Sequence, residues 1–176
     1  MFNFSDPSIQ WAYILGCIGI LLEWKAYTVH CGRAFRVWTG LGALFWAGMY
    51  WGLGAWTSSL TMGTTGIRSL WSMENGRYRH LSALFFVALF SGLTVQSWQG
   101  LVSLLPAFAV INTTLALFYL ENRSMRIVLL ASSAAWITND VLWLAWPALL
   151  AESIAALLNL RTIRQLKTAE NRPPPL

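Results

Sequence analysis

Apolar residues in this chain fall into seven runs, near 9–24, 36–55, 57–73, 80–97, 100–119, 126–144 and 146–165, separated by short polar or basic breaks. A membrane-crossing helix needs roughly 17–25 mostly apolar residues, so each run predicts one span. The expected fold is an all-α integral membrane protein, a single seven-helix domain over residues 1–167. Residues 168–176, ending in three prolines, are expected to form a disordered cytosolic tail. Run three is the most polar, rich in Ser, Thr and Gly and carrying Arg68. Small residues let helices approach closely in lipid, which makes it an inner helix. Met1–Gln10 holds no Lys or Arg and no small-residue cleavage site follows. The first run is therefore expected to be retained as a helix, unlike a signal peptide.

Composition agrees, with 56% hydrophobic and only 11% charged residues, less than half the usual charged share. The formal charge of +5 matters less than where the cations sit. Lys25, Arg33 and Arg36 flank the first connection, Arg77 and Arg79 the third, and Arg123 and Arg126 the fifth. Arg161, Arg164, Lys167 and Arg172 follow or end the last run. The second, fourth and sixth connections have none. The positive-inside rule makes the basic side cytosolic, giving a multi-pass membrane protein with its N-terminus outside and its C-terminus in the cytosol. The cations thus mark topology, and no nucleic-acid partner is expected. Trp24, Trp51, Trp56, Trp98, Trp143 and Trp146 sit at run ends like an aromatic belt. Two cysteines and two histidines make neither a disulfide framework nor a metal site. No cofactor is implied, and no catalytic motif points to an enzyme.

An internal repeat divides the runs. Arg33 and Arg36 recur as Arg123 and Arg126, Trp46 as Trp136 and Tyr50 as Asp140, all at an offset of 90 residues. The layout is then 3+1+3: two parallel three-helix repeats, about 9–73 and 100–165, joined by a linker helix at about 80–97. An intervening span is what makes two three-helix units parallel, an architecture whose binding sites lie at the repeat interface.

Ionisable groups at membrane depth point to function. Arg68, Asp140 and Glu152 qualify. Glu152, Ala156 and Asn159 share a face of span 7, as Ser132, Trp136 and Asn139 do on span 6 and Thr61, Thr65 and Arg68 on span 3. Span 2 adds Trp46 and Tyr50. At ~1.5 Å per residue, Glu152 lies roughly 9 Å and Arg68 roughly 16 Å from the outer surface. Asp140 comes near the outer end of its span, where hydration is available. Arg68 and Glu152 can neutralise each other across the bundle or act on a solute; the sequence leaves both open.

The quartet Thr65-Gly66-Ile67-Arg68, Leu104-Leu105-Pro106, Met125-Arg126, Trp136 with Asn139, and Glu152 with Asn159 together resemble the YgjV-type bacterial inner-membrane proteins. The resemblance runs over roughly residues 10–167 and extends distantly to PQ-loop and SWEET transporters, although no Pro-Gln dipeptide occurs. It implies a small-solute transporter or facilitator working by alternating access. Trp46, Tyr50, Thr65, Arg68, Trp136, Asn139 and Asn159 are the candidate solute-binding residues. Glu152 and Asp140 are the candidates for proton coupling, and Pro106 is the candidate hinge. The expected partners are membrane lipid and a small solute of unknown identity. The alternative is a non-transporting membrane subunit that scaffolds or anchors a larger complex, with Gly40, Gly42, Gly48 and Gly52 as a lipid-facing patch for a partner helix; a homo-oligomer or a membrane-complex partner is left open.

Overall fold

The computed structural model describes residues 6–28, 32–71, 78–120 and 122–170. Among them the regular structure is helical: α1 (Pro7–Thr28), α2 (Gly32–Gly52), α3 (Trp56–Trp71), α4 (Arg79–Gln96), α5 (Leu104–Tyr119), α6 (Asn122–Leu142) and α7 (Trp146–Glu170). A short 3-10 turn, Leu101–Ser103, leads into α5. Each helix lies on one of the seven apolar runs. The largest shifts are at ends, where caps decide more than hydropathy. Helix α1 starts at Pro7 because Asp6 caps it: the Ser8 hydroxyl and backbone N–H donate to Asp6 Oδ1 at 2.8 and 2.9 Å. Proline in the first helical position suits this, since its missing N–H would have no helical partner. The Ser8 hydroxyl, and then its N–H, hold the Asp6 carboxyl below its ordinary range. Helix α7 runs five residues past its expected end. Arg77, Arg172, Cys31, His30 and the side chains of Arg33 and Lys167 lie outside the described residues.

Consecutive helices run antiparallel, as their side-chain hydrogen bonds record. Ser59 donates to the Ala47 carbonyl at 2.8 Å, and Thr57 to that of Ser97 at 2.7 Å. His80 meets Tyr119 at 3.1 Å, while Asn112 Nδ2 donates to the Val128 carbonyl and Asn159 Nδ2 to that of Arg126, both at 2.9 Å. One end of the bundle therefore gathers the tight turns at residues 53–55 and 143–145. The other gathers Lys25, Arg36, Arg79, Arg123, Arg126, Arg161 and Arg164. We call these the corner end and the basic end.

Polarity is inverted relative to a protein folded in water. Leu101 and Val95 are 79% and 76% exposed, whereas Asn139 and Thr61 are fully buried. Such a surface is stable against hydrocarbon, where polar groups must find partners inside. Among the described residues, two helical segments are long and apolar enough to cross a membrane on composition alone, Arg79–Gln96 and Leu101–Tyr119. The other runs become helices as expected but fall short of that measure. Helix α3 has only 16 residues, and α2, α6 and α7 carry polar residues that dilute their hydropathy.

The offset of 90 extends well beyond the landmarks that announced it. Both bounds of α2 recur in α6, and α7 begins 90 residues after α3. The intervening corners are built alike. Ala55 N–H reaches the Tyr50 carbonyl at 2.9 Å and Ala145 N–H the Asp140 carbonyl at 2.8 Å; Gly54 and Leu144 take positive φ, 78° and 51°. Packing corresponds too: α1 lies on α2 and α7, while α5 lies on α6 and α3.

Leu144 occupies a left-handed position that its counterpart fills with glycine. The conformation costs a side-chain-bearing residue about 1–2 kcal/mol, partly offset by glycine's larger unfolded-state entropy, about 0.5–1 kcal/mol. Leu144→Gly is therefore expected to stabilise the protein slightly, by up to about 1 kcal/mol, seen as a higher Tm in detergent. A lower Tm would mean that the half-buried leucine side chain outweighs the strain.

The glycines of span 2 correct one expectation. They do not form a lipid-facing patch. A Cβ on Gly52 would stand 2.8 Å from Ala12 Cβ, one on Gly48 3.1 Å from Leu15, and one on Gly42 3.7 Å from the Gly19 carbonyl. The Gly40 carbonyl would lie 3.0 Å from a Cβ on Gly66. Small residues here bring α1 and α3 onto α2, as close helix packing in lipid requires.

Candidate functional site

The two corners place corresponding residues of α2 and α6 against one another. Tyr50 OH donates to Asp140 Oδ1 at 2.6 Å, joining positions exactly one repeat offset apart. Asn139 Nδ2 lies 3.3 Å from the same oxygen, and Ser58 donates to Asn139 Oδ1 at 3.0 Å. The Trp136 ring stacks on Tyr50, with centroids 5.8 Å apart and planes at 23°. Above them Tyr13 OH donates to the Leu144 carbonyl at 2.8 Å, tying α1 to the second corner. Asp140 is 1% exposed, which corrects the expectation of a hydrated group at a span end. Its Oδ2 is buried without a hydrogen-bond partner.

Deeper in the bundle a second group of polar residues lies between α1, α6 and α7. Glu152 lies beside Ser133 and is within electrostatic reach of Glu23, Asp140 and Tyr50. The Trp46 indole lies close enough to Glu23 to interact with its carboxyl, and the Trp46 ring covers Gly19, one turn earlier on α1. Glu23 is level with Gly42, the middle residue of the 21-residue α2: a Cβ there would lie 3.8 Å from Glu23 N. Helix α1 meets α7 where Gly16 faces Pro147. From that contact both Glu23 and Glu152 lie roughly 8–10 Å further toward the basic end, by helical rise.

The remaining candidates have other partners. Arg68 is 6% exposed and turns toward α4 and α5. Its Nη1 donates to Thr114 Oγ1 and reaches the Val110 carbonyl at 3.4 Å, and its guanidinium lies 5.8 Å from the Phe90 ring centre. Among the described residues no ion pair joins Arg68 to Glu152, so mutual neutralisation does not account for either charge. Thr65 donates within its own helix, to the Thr61 carbonyl at 2.9 Å. Asn159 is bound at the basic end, accepting from Arg126 Nη1 at 3.2 Å. Pro106, expected inside a span, is the third residue of α5, just past the 3-10 turn. In a first helical turn its missing N–H leaves no helical hydrogen bond unmade.

The structure thus gathers Tyr50, Trp136, Asn139 and Asp140 at the corner end, with Trp46 and Glu152 one to two turns deeper. Arg68, Thr65 and Asn159 stand with other neighbours. Glu23, Ser58 and Thr114 were not anticipated. Glu23 lies at the end of the first apolar run, beside Lys25, where it reads as an interfacial residue. The only local signal against that is the helical continuation to Thr28. Among the described residues no group of three His, Cys, Asp or Glu side chains is arranged to hold a metal ion.

No curated protein and no solved structure matches the chain. The resemblance carried by Arg68, Trp136, Asn139, Glu152 and their neighbours has direct support: a family model described as "Bacterial inner membrane protein" matches residues 10–170. The inverted polarity of the bundle is what such a protein requires, and the chain belongs to the Imp-YgjV family of bacterial inner membrane proteins.

Proposed function

We propose that the chain is a seven-span transporter or facilitator of a small solute. Its α1–α3 and α5–α7 units act as parallel repeats joined by α4, with the corner end outside and the basic end in the cytosol. The observation that carries this reading is a change of packing along single helix faces. On α6, Ser132, Trp136, Asn139 and Asp140 are buried, yet no residue from 123 to 131 is. On α7, Pro147 and Ala148 are buried, yet no residue from 149 to 165 is. Glu152 and Asn159 lie on the α7 face that packs against α1 and α6, so lipid contact does not explain their exposure. Along α6 and α7 the packing is tight at the corner end and loosens toward the basic end, as in an inward-open state of alternating access.

The latch at the closed end is the Tyr50–Asp140 hydrogen bond, supported by Asn139, Ser58 and the Trp136 ring. Glu152 and Asp140 carry protons in this scheme, loading and releasing them as access alternates. A hydrogen bond to a charged group contributes about 1.5–3 kcal/mol, so its loss shifts the balance between states by about 10- to 100-fold. The test uses a Cys17→Ser, Cys31→Ser background with a single cysteine at Ala148 or Ala156 and an impermeant maleimide. Ala156→Cys is expected to react from the cytosolic face. Ala148→Cys is expected to be protected from outside and to become reactive, by about tenfold or more, when Tyr50→Phe is added. Protection at Ala148 that Tyr50→Phe and Asp140→Asn both leave unchanged would sink alternating access.

A further inference from the structure

We propose that Glu23, Glu152 and Asp140 form the binding site for a small organic cation, an amine or quaternary ammonium held against the rings of Trp46 and Trp136. The inference rests on the transporter reading and names the substrate class. Three helices supply the carboxyls: α1 gives Glu23, α6 Asp140 and α7 Glu152. Among the described residues, the titratable groups within electrostatic reach of Glu152 are Glu23, Asp140 and Tyr50, and none is a cation. Arg68 is engaged with Thr114, Val110 and Phe90, and Arg126 with Asn159. Lys25, two residues beyond Glu23 and exposed, lies on another side of α1.

Acidic residues alone would not define a site, since protons can neutralise them. A second feature does. Asp140 uses Oδ1 for Tyr50 and Asn139, while its buried Oδ2 is left without a partner, on a carboxyl within reach of Glu152. An unmet buried acceptor is costly, and a bound N–H donor or a cation would satisfy it. The walls suit a cation as well. Trp46 is held by its packing on Gly19 and Trp136 by its stack on Tyr50, and indole faces attract diffuse positive charge. A small divalent metal fits less well, because these carboxyls are not arranged as a metal-ligand group. An anion would be repelled by all three.

Access completes the case. Glu23 and Glu152 are only partly buried, beside the loosely packed halves of α6 and α7, whereas Asp140 is sealed behind the latch. A cation entering from the basic end would meet the two glutamates first. Since it would occupy carboxylates that otherwise hold protons, each binding event displaces protons. The device is then an exchanger of organic cation against protons, with both competing for the same oxygens.

The test is equilibrium binding of benzyltrimethylammonium to the purified full chain in detergent, followed by tryptophan fluorescence and calorimetry. The neutral carbon isostere neopentylbenzene and the anion benzenesulfonate serve as comparisons. Saturable binding of the cation alone is expected, weakening as the pH falls and protons compete. Glu23→Gln and Glu152→Gln should each weaken it by about tenfold or more, while Asp6→Asn, an exposed acid outside the bundle, should leave it unchanged. Each variant is used only if its elution and Tm match the parent; Asp140→Asn provides a third variant should either glutamine form fail to fold. Equal binding of the neutral isostere, or retention of binding in the folded glutamine variants, overturns the proposal. A chain that alternates in the maleimide assay yet binds no cation keeps the transporter reading and loses this one.

Discussion

Gly16→Leu is expected to leave little folded protein to recover from detergent extracts. A Cβ built on Gly16 would lie 2.6 Å from Met49 Sδ, 2.9 Å from Pro147 Cβ and 3.0 Å from Pro147 Cγ. Those atoms belong to α2 and α7, so Gly16 stands where three helices close on one point. Methionine can rotate away, but the proline ring at the start of α7 is fixed to its backbone. Alanine here should cost about 1–3 kcal/mol through overpacking. Leucine adds three further carbons and must push α1 off α7, separating the seam that brings Glu23 near Glu152. The control is Gly92→Leu: nothing stands within 4 Å of that Cβ position, and the residue is exposed on α4. Yield and Tm after gel filtration check both variants, with Gly16→Ala expected between the parent and Gly16→Leu. A Gly16→Leu protein as stable as the Gly92→Leu protein would mean that the α1–α7 contact can reorganise freely.

How much of this was legible in the sequence depends on the range of the interaction. The helices were, because an apolar run bounded by charges forces a helix wherever backbone groups must be satisfied internally. The repeat offset was legible at three landmarks, and it located the Tyr50–Asp140 contact without revealing it. Offset residues can equally lie on opposite sides of a bundle. Only the packing of α2 against α6 near their ends brings these two within hydrogen-bonding distance. Asp140 looked hydrated because depth was counted along one helix, whereas burial depends on what covers the helix end. Here Tyr50 and Trp136 do so. The same limit hid Glu23. Its surroundings are set by Trp46 and Glu152, 23 and 129 residues away in the chain, and its own neighbours suggest only a helix end. The glycines of span 2 were recognised as a contact surface but given the wrong partner, since a small-residue stripe says that something approaches closely without saying what.

Arg68→Met is expected to keep or raise the Tm while changing which face of the bundle is accessible. A buried guanidinium at membrane depth costs about 2.5–3.5 kcal/mol on insertion scales, and no carboxylate pairs with Arg68 among the described residues. Replacing an unpaired buried charge with an apolar chain of similar length removes that cost. Little is orphaned in exchange. Thr114 keeps its own hydrogen bond to the Val110 carbonyl at 2.6 Å, and methionine can lie against Phe90, where thioether–ring contact is favourable. A residue that lowers stability in the parent has to be explained by something other than packing. Its place suggests what that is. The α3–α5 contact that holds Arg68 and Thr114 corresponds, at the repeat offset, to the α1–α7 contact that holds Glu23 and Glu152. In the proposed two-repeat transporter, one seam between the repeats is basic and the other acidic, and rocking would open and close the two together. Maleimide labelling of Ala148→Cys and Ala156→Cys in the Arg68→Met background should therefore differ from labelling with Arg68 present, and Arg68→Lys, which keeps the charge but not the planar fork, should fall between. A Tm lowered by several degrees with labelling unchanged would assign Arg68 to packing alone.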